Sequence, residues 1–131
     1  MEYKYVINPE QVGGLDAPIS FGIKTNYKNI LFTSGIVAIN QKGDLVGGSD
    51  IKLQTNQVME NIKSILLEAK MTFDDIIKIN MYLKNMKQLK DVIEVRSRYL
   101  MKNKPAATAV EVSSLADPRF LIEIEVIAAN K

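Results

Sequence analysis

The spacing of apolar residues alternates between a period of two and a period near 3.6, and each switch predicts an element. "IIKINMYL" (76–83) alternates, placing Ile77, Ile79, Met81 and Leu83 on one side of a strand and Lys78, Asn80 and Tyr82 on the other. Over about 51–70 the spacing is helical, with Val58, Ile62, Ile65, Leu66 and Ala69 in one stripe, and Ser49 or Asp50 is the N-cap. A second helix is predicted over about 87–101, with Leu89, Val92, Ile93, Tyr99 and Leu100 on its apolar side. "YKYVIN" (3–8), "SFGIKTN" (20–26) and "NILFTSGIVAIN" (29–40) read as strands, 9–18 as a loop, and "NQKGD" (40–44) as a tight turn. "TFDD" (72–75) reads as a capped turn, and strands around 108–112 and 120–128 close the chain.

The order is strands, helix, strand, helix, two strands. It predicts an α+β fold, a single mixed sheet with two helices on one face. Ile77, Ile79 and Met81 of one strand and Ile122, Ile124 and Val126 of another should lie under the helices. A hairpin of the last two strands, centred near Ala116, would set Ala109 opposite Glu123. The far face would then hold Lys78, Asn80, Tyr82, Glu111, Glu123 and Glu125, with Ala107, Ala109, Leu121 and Ile127 among them. Carboxylates in an apolar run are costly unless something pairs or uses them. A solvent face and a subunit interface with paired charges both fit this mixture. Lys78 is the expected partner of Glu111 or Glu125. Arg96 and Arg98 read as solvated helix residues, and Arg119 as pointing to the wrong end of its strand to reach Glu123.

Composition removes several chemistries. The chain has 131 residues, which fits a single domain over 1–131. It has neither histidine nor cysteine, so a histidine base, a thiol nucleophile and a histidine or cysteine metal site are excluded. Net charge is +2, with 17 basic and 15 acidic residues interspersed, and this argues against a nucleic-acid or membrane surface. With no membrane-length apolar run and no secretory pattern at the N-terminus, a cytoplasmic protein is expected. One Gly-Gly at 47–48 without a Gly-Lys-Ser/Thr is turn chemistry, not a phosphate cradle.

Several segments, in order and spacing, resemble the RidA (YjgF) reactive-intermediate deaminases. "NILFTSG" (29–35) is similar to the family's strand ending in Thr-Ser-Gly. "GDLVGGSDIKLQTNQVMENIKSILLEA" (43–69) resembles its Gly-(Glu/Asp)-Leu-Val stretch and first helix. "PAATAVEVSSL" and "IEIEVIA" resemble Pro-Ala-Arg-Ser-x-Val-Glu-Val and Ile-Glu-Ile-Glu-Ala-Ile-Ala. The resemblance implies a chorismate-mutase-like fold, a homotrimer with clefts between subunits, no cofactor, and hydrolytic deamination of imine or enamine intermediates. In the family an arginine clamps the substrate carboxylate, and a glutamate with backbone groups positions water.

Carried over by position, Glu123 matches the catalytic-site glutamate and Gly35 the glycine whose backbone lines the cleft. The clamp arginine falls on Ala107, the cleft tyrosine on Phe21, the glutamine after Thr-Ser-Gly on Ile36, and the second-helix asparagine on Ile93. Ala109 is the other alanine of this wall. The expected cleft is greasier than the family's and lacks its anion clamp. The expectation is a trimer binding a small metabolite, with imine or enamine hydrolysis altered by the loss at Ala107. The alternative is a non-catalytic small-molecule-binding or regulatory trimer. An endoribonuclease or translation inhibitor ranks below both, since there is neither a histidine nor a basic stripe with aromatics.

Overall fold

The computed structural model describes residues 3–13 and 17–131; residues 14–16 of the loop expected over 9–18 lie outside that range. Among the described residues six strands and two α-helices follow in the order β1 (Lys4–Ile7), β2 (Gly22–Thr25), β3 (Asn29–Phe32), α1 (Ile51–Glu68), β4 (Ile76–Leu83), α2 (Leu89–Leu100), β5 (Ala106–Glu111) and β6 (Ile122–Asn130). Four strands form one mixed sheet in the order β3-β6-β4-β5, with β4 and β5 parallel and the other pairs antiparallel. The α+β class and the two helices on one sheet face match the expectation. The first two strands instead form a separate antiparallel ribbon. A bridge from Ser20 to Ala106 and Ser20 Oγ donating to the Lys104 carbonyl at 2.5 Å tie it to the free edge of β5.

Local chemistry explains the boundaries. Asp50 caps α1, its carboxylate accepting from the amides of Lys52 and Leu53 at 2.9 and 3.1 Å. Gly47, at φ +103°, makes the turn into α1, and a Cβ there would sit 2.7 Å from the Gln54 nitrogen. Thr72 and Asp75 close a capping box around the short turn before β4. The core between sheet and helices joins Val58, Ile62 and Leu66 of α1 and Val92 and Leu100 of α2 to Ile79, Met81, Leu83, Ile122, Ile124 and Val126. Ile77 departs from its expected place. A bulge between Ile76 and Lys78 sets two residues of β4 against one step of β6, so Ile76 is fully buried and Ile77 is not.

The closing strands do not form a hairpin. β4 lies between them, so Glu123 opposes Tyr82 and Glu125 opposes Asn80, while Ala107 and Ala109 run in register with Ile79 and Met81. In-register neighbours project from the same face. Both alanines are therefore on the helix side, opposite to Glu123 and Glu125. Glu111 sits level with Leu83 and accepts from the Met86 amide at 2.8 Å. The physical reason is the helix between β4 and β5: a strand–helix–strand unit returns parallel.

Candidate functional site

The chain from Thr33 to Ile36 arches over β6. Thr33 accepts the Val126 amide through its hydroxyl at 3.0 Å and donates its own amide to the Val126 carbonyl at 3.1 Å. Ile36 and Ile124 exchange amide–carbonyl bonds at 2.8 and 3.0 Å. Between these anchors Gly35 lies directly against the Glu123 carboxylate. Asn61 of α1 holds the following residues, donating to the Val37 and Ile39 carbonyls at 3.0 and 2.9 Å. Gly35 and Ile36 thus border an open cleft of about 550 Å³ whose other wall is Asn61, Ser64 and Ile65 of α1.

On the outer sheet face Glu125 is engaged through one carboxylate oxygen. Its Oε1 accepts from Asn80 Nδ2 at 3.1 Å and from the Tyr82 hydroxyl at 2.7 Å. That hydrogen bond, with burial and the charges of Glu125 and Glu123, pushes the Tyr82 phenol above its usual range. Lys78 does not pair with Glu111 or Glu125; it donates to Thr108 Oγ1 at 3.0 Å. Arg119 is closed on Asp117 at 2.8 Å. Glu123, half-buried, makes no hydrogen bond to any described side chain or backbone group, so its carboxylate is the uncommitted one of the pair. The same face carries Phe32, 66% exposed, next to Ile127.

The second group of predicted residues assembles elsewhere. Ile93, Ala107 and Ala109 line a cavity of about 90 Å³ between α2 and the edge strand β5, with Ile19, Met81 and Arg96. Phe21 is not among them; it is 43% exposed and donates its amide to Asn8 Oδ1 at 2.8 Å. Ile19, two residues earlier along the chain, lines the cavity in its place. Arg96 corrects the reading of a solvated helix residue. It is 1% exposed, Nη1 faces the Met81 sulfur at 3.6 Å, and Nε has no partner among the described residues. Desolvation lowers its pKa from the usual guanidinium value. The spacing Val92, Arg96, Leu100 put it on the buried stripe of α2.

Within one chain, then, Glu123 and Gly35 lie at β6 while Ile93, Ala107, Ala109 and Arg96 lie under the β5 edge. Among the described residues no group of three or more acids, histidines or cysteines could hold a metal ion, and no helix is long and apolar enough to cross a membrane.

Comparison with known proteins places this geometry. The family model described as Endoribonuclease L-PSP matches residues 16–130. A RutC family protein of Pyrococcus horikoshii is 45% identical over 126 residues, covering 95% of this chain and 97% of that protein. AldR of Lactococcus lactis, named as a candidate regulator, is 38% identical over 123 residues, covering 92% and 97%. The crystal structure of the Rid-family protein YyfB of Yersinia pestis superposes with a TM-score of 0.88 at 32% identity, over 97% of this chain and 98% of that one. This chain belongs to the Endoribonuclease L-PSP family, that of the Rid, YjgF and RutC proteins.

Proposed function

We propose that the protein is a homotrimer whose inter-subunit clefts bind a small metabolite and hydrolyse an imine or enamine, with Glu123 handling the water. The observation that carries this is the free Glu123 carboxylate against the Gly35 backbone. The two residue groups lie on opposite faces of the sheet, so a complete site needs a second subunit, one contributing Glu123 and Gly35 and the next the pocket behind Ala107.

In the reaction water adds its oxygen to the imine carbon while Glu123 accepts one water proton and passes it to the nitrogen; the hydroxyl proton of the resulting carbinolamine then moves to the same nitrogen, again by way of Glu123, as the C–N bond breaks to release ammonia and a carbonyl compound. General-base assistance of this kind contributes roughly 10²–10⁴-fold. The test couples the protein to an amino-acid oxidase and follows ammonia release. Wild type should accelerate it and Glu123→Gln should lose about 100-fold or more while keeping its fold. A Glu123→Gln variant as fast as wild type overturns the assignment.

A second reading is a non-catalytic binding trimer. It is favoured by the alanine at 107, where the resembling enzymes place their clamp, and by similarity to a protein named as a candidate regulator. Ligand binding without ammonia release selects it. Endoribonuclease activity, the word in the family's description, has no histidine base here to carry it.

A further inference from the structure

Arg96 is the bulkiest fully buried side chain among the described residues. A guanidinium buried without a counter-charge is costly, because it has given up its hydration without a compensating anion. Yet the ion pairs among the described residues are Lys52 with Glu94, Arg98 with Glu94, and Arg119 with Asp117, and none includes Arg96. Its Nε is unpaired and Nη1 meets a thioether, a weak acceptor. Beside it is a small cavity of about 90 Å³, and roughly 10–15 Å³ suffices for one water. Ala107 and Ala109 create that space, since neither fills the wall between β5 and α2.

We propose that Arg96 is the anion-binding residue of this protein, taking the carboxylate of a small 2-oxo or 2-imino acid into the cavity left by Ala107 and Ala109. The guanidinium fork suits a carboxylate, whose two oxygens accept in parallel from adjacent N–H groups. The positive charge is thus moved from the sheet edge to the helix behind it. The ligand enters shorn of water, and an apolar wall of Ile19, Ile93 and Met81 limits it to a short carbon chain. The buried charge is stabilised only when the anion arrives, which couples affinity to conformational stability.

This inference deepens the cleft reading above, and it is tested separately from hydrolysis. Titration calorimetry and thermal unfolding are measured with pyruvate, 2-oxobutanoate and the uncharged pyruvamide. Wild type should bind both acids and gain melting temperature from them, and should bind pyruvamide at least tenfold more weakly. Arg96→Met should weaken pyruvate binding at least tenfold, leave pyruvamide unchanged, and be as stable as wild type or more so without ligand, because an unpaired buried charge has been removed. Ala109→Leu fills the cavity from the opposite wall and should abolish pyruvate binding while preserving the fold, so the test stands even if Arg96→Met does not fold. Pyruvate binding within twofold of wild type in either variant overturns the proposal, as does wild type binding pyruvamide as tightly as pyruvate. If Arg96 holds pyruvate but no imine is hydrolysed, the anion site stands and the catalytic reading falls. If ammonia release depends on Glu123 while Arg96→Met binds pyruvate normally, the reverse holds.

Discussion

The carboxylate of Glu123 occupies the space that a side chain at residue 35 would need: a Cβ built on Gly35 would lie 2.2 Å from Glu123 Oε2 and 2.6 Å from its Cδ. Glycine is required here by this contact and not by backbone conformation. The obstruction is the far end of a flexible side chain, so the backbone can keep its place while the carboxylate swings away. Gly35→Ala should therefore fold normally, with a loss of stability within about 1 kcal/mol. Ammonia release should fall at least tenfold, about 1.4 kcal/mol in barrier. Thermal unfolding and the coupled oxidase assay check both halves; full activity in the alanine variant would detach Glu123 from the chemistry.

The outer sheet face gives a prediction about assembly. Phe32, Ile127 and the half-buried Glu123 and Glu125 combine apolar area with acids, a composition that fits burial against another subunit. Light scattering at micromolar concentration should give three times the 14.7 kDa chain mass. Phe32→Asp should shift the population to monomer, because a charge would have to be desolvated in the interface. A trimer unaffected by Phe32→Asp would move the interface off this face.

Tyr82 provides a pH test. Its hydroxyl donates to Glu125, and this hydrogen bond, with burial and two acidic neighbours, raises its folded pKa above the ordinary 10.0. A raised folded pKa contributes stability that is complete below the unfolded pKa and is lost as pH rises through the folded value. Wild type should thus lose stability above about pH 10 relative to Tyr82→Phe, with the two curves parallel between pH 7 and 9. Urea unfolding at stepped pH values measures this. Curves that stay parallel above pH 10.5 would show that the phenol is not coupled to folding.

Much of the fold was legible because periodicity reports which residues are buried. The eight residues of β4 and the stripe of α1 followed directly from spacing. What failed was pairing. The reading of 104–128 as a hairpin placed Ala109 against Glu123, although a helix between β4 and β5 already implied a parallel return that leaves β6 to pair on the other edge of β4. That one error carried the two alanines to the wrong face. The bulge at Ile77 had no signal in the pattern. Arg96 was legible in part: it stands four residues after Val92 and four before Leu100, both buried, but residue type outweighed position because arginine is so rarely buried without a partner. Gly35 and Glu123 came from the family resemblance, and their contact could not be read from one chain's spacing.

Ala107 and Arg96 line the same small cavity from β5 and α2. Ala107→Arg alone restores the side chain that the resembling enzymes carry there, yet it sets a second guanidinium beside a buried first one and overfills the space. It should lower the melting temperature by several degrees, since about 1 kcal/mol corresponds to roughly 4 °C at this size, and should not improve pyruvate binding. Adding Arg96→Met removes both the like charge and part of the crowding. The double variant should regain most of the lost stability and bind pyruvate at least tenfold more tightly than Arg96→Met alone. Such non-additivity is what neighbouring sites sharing a cavity produce. Additive effects on stability and binding would mean that the two side chains do not meet, and that the arginine of the helix does not stand in for the one absent from the strand.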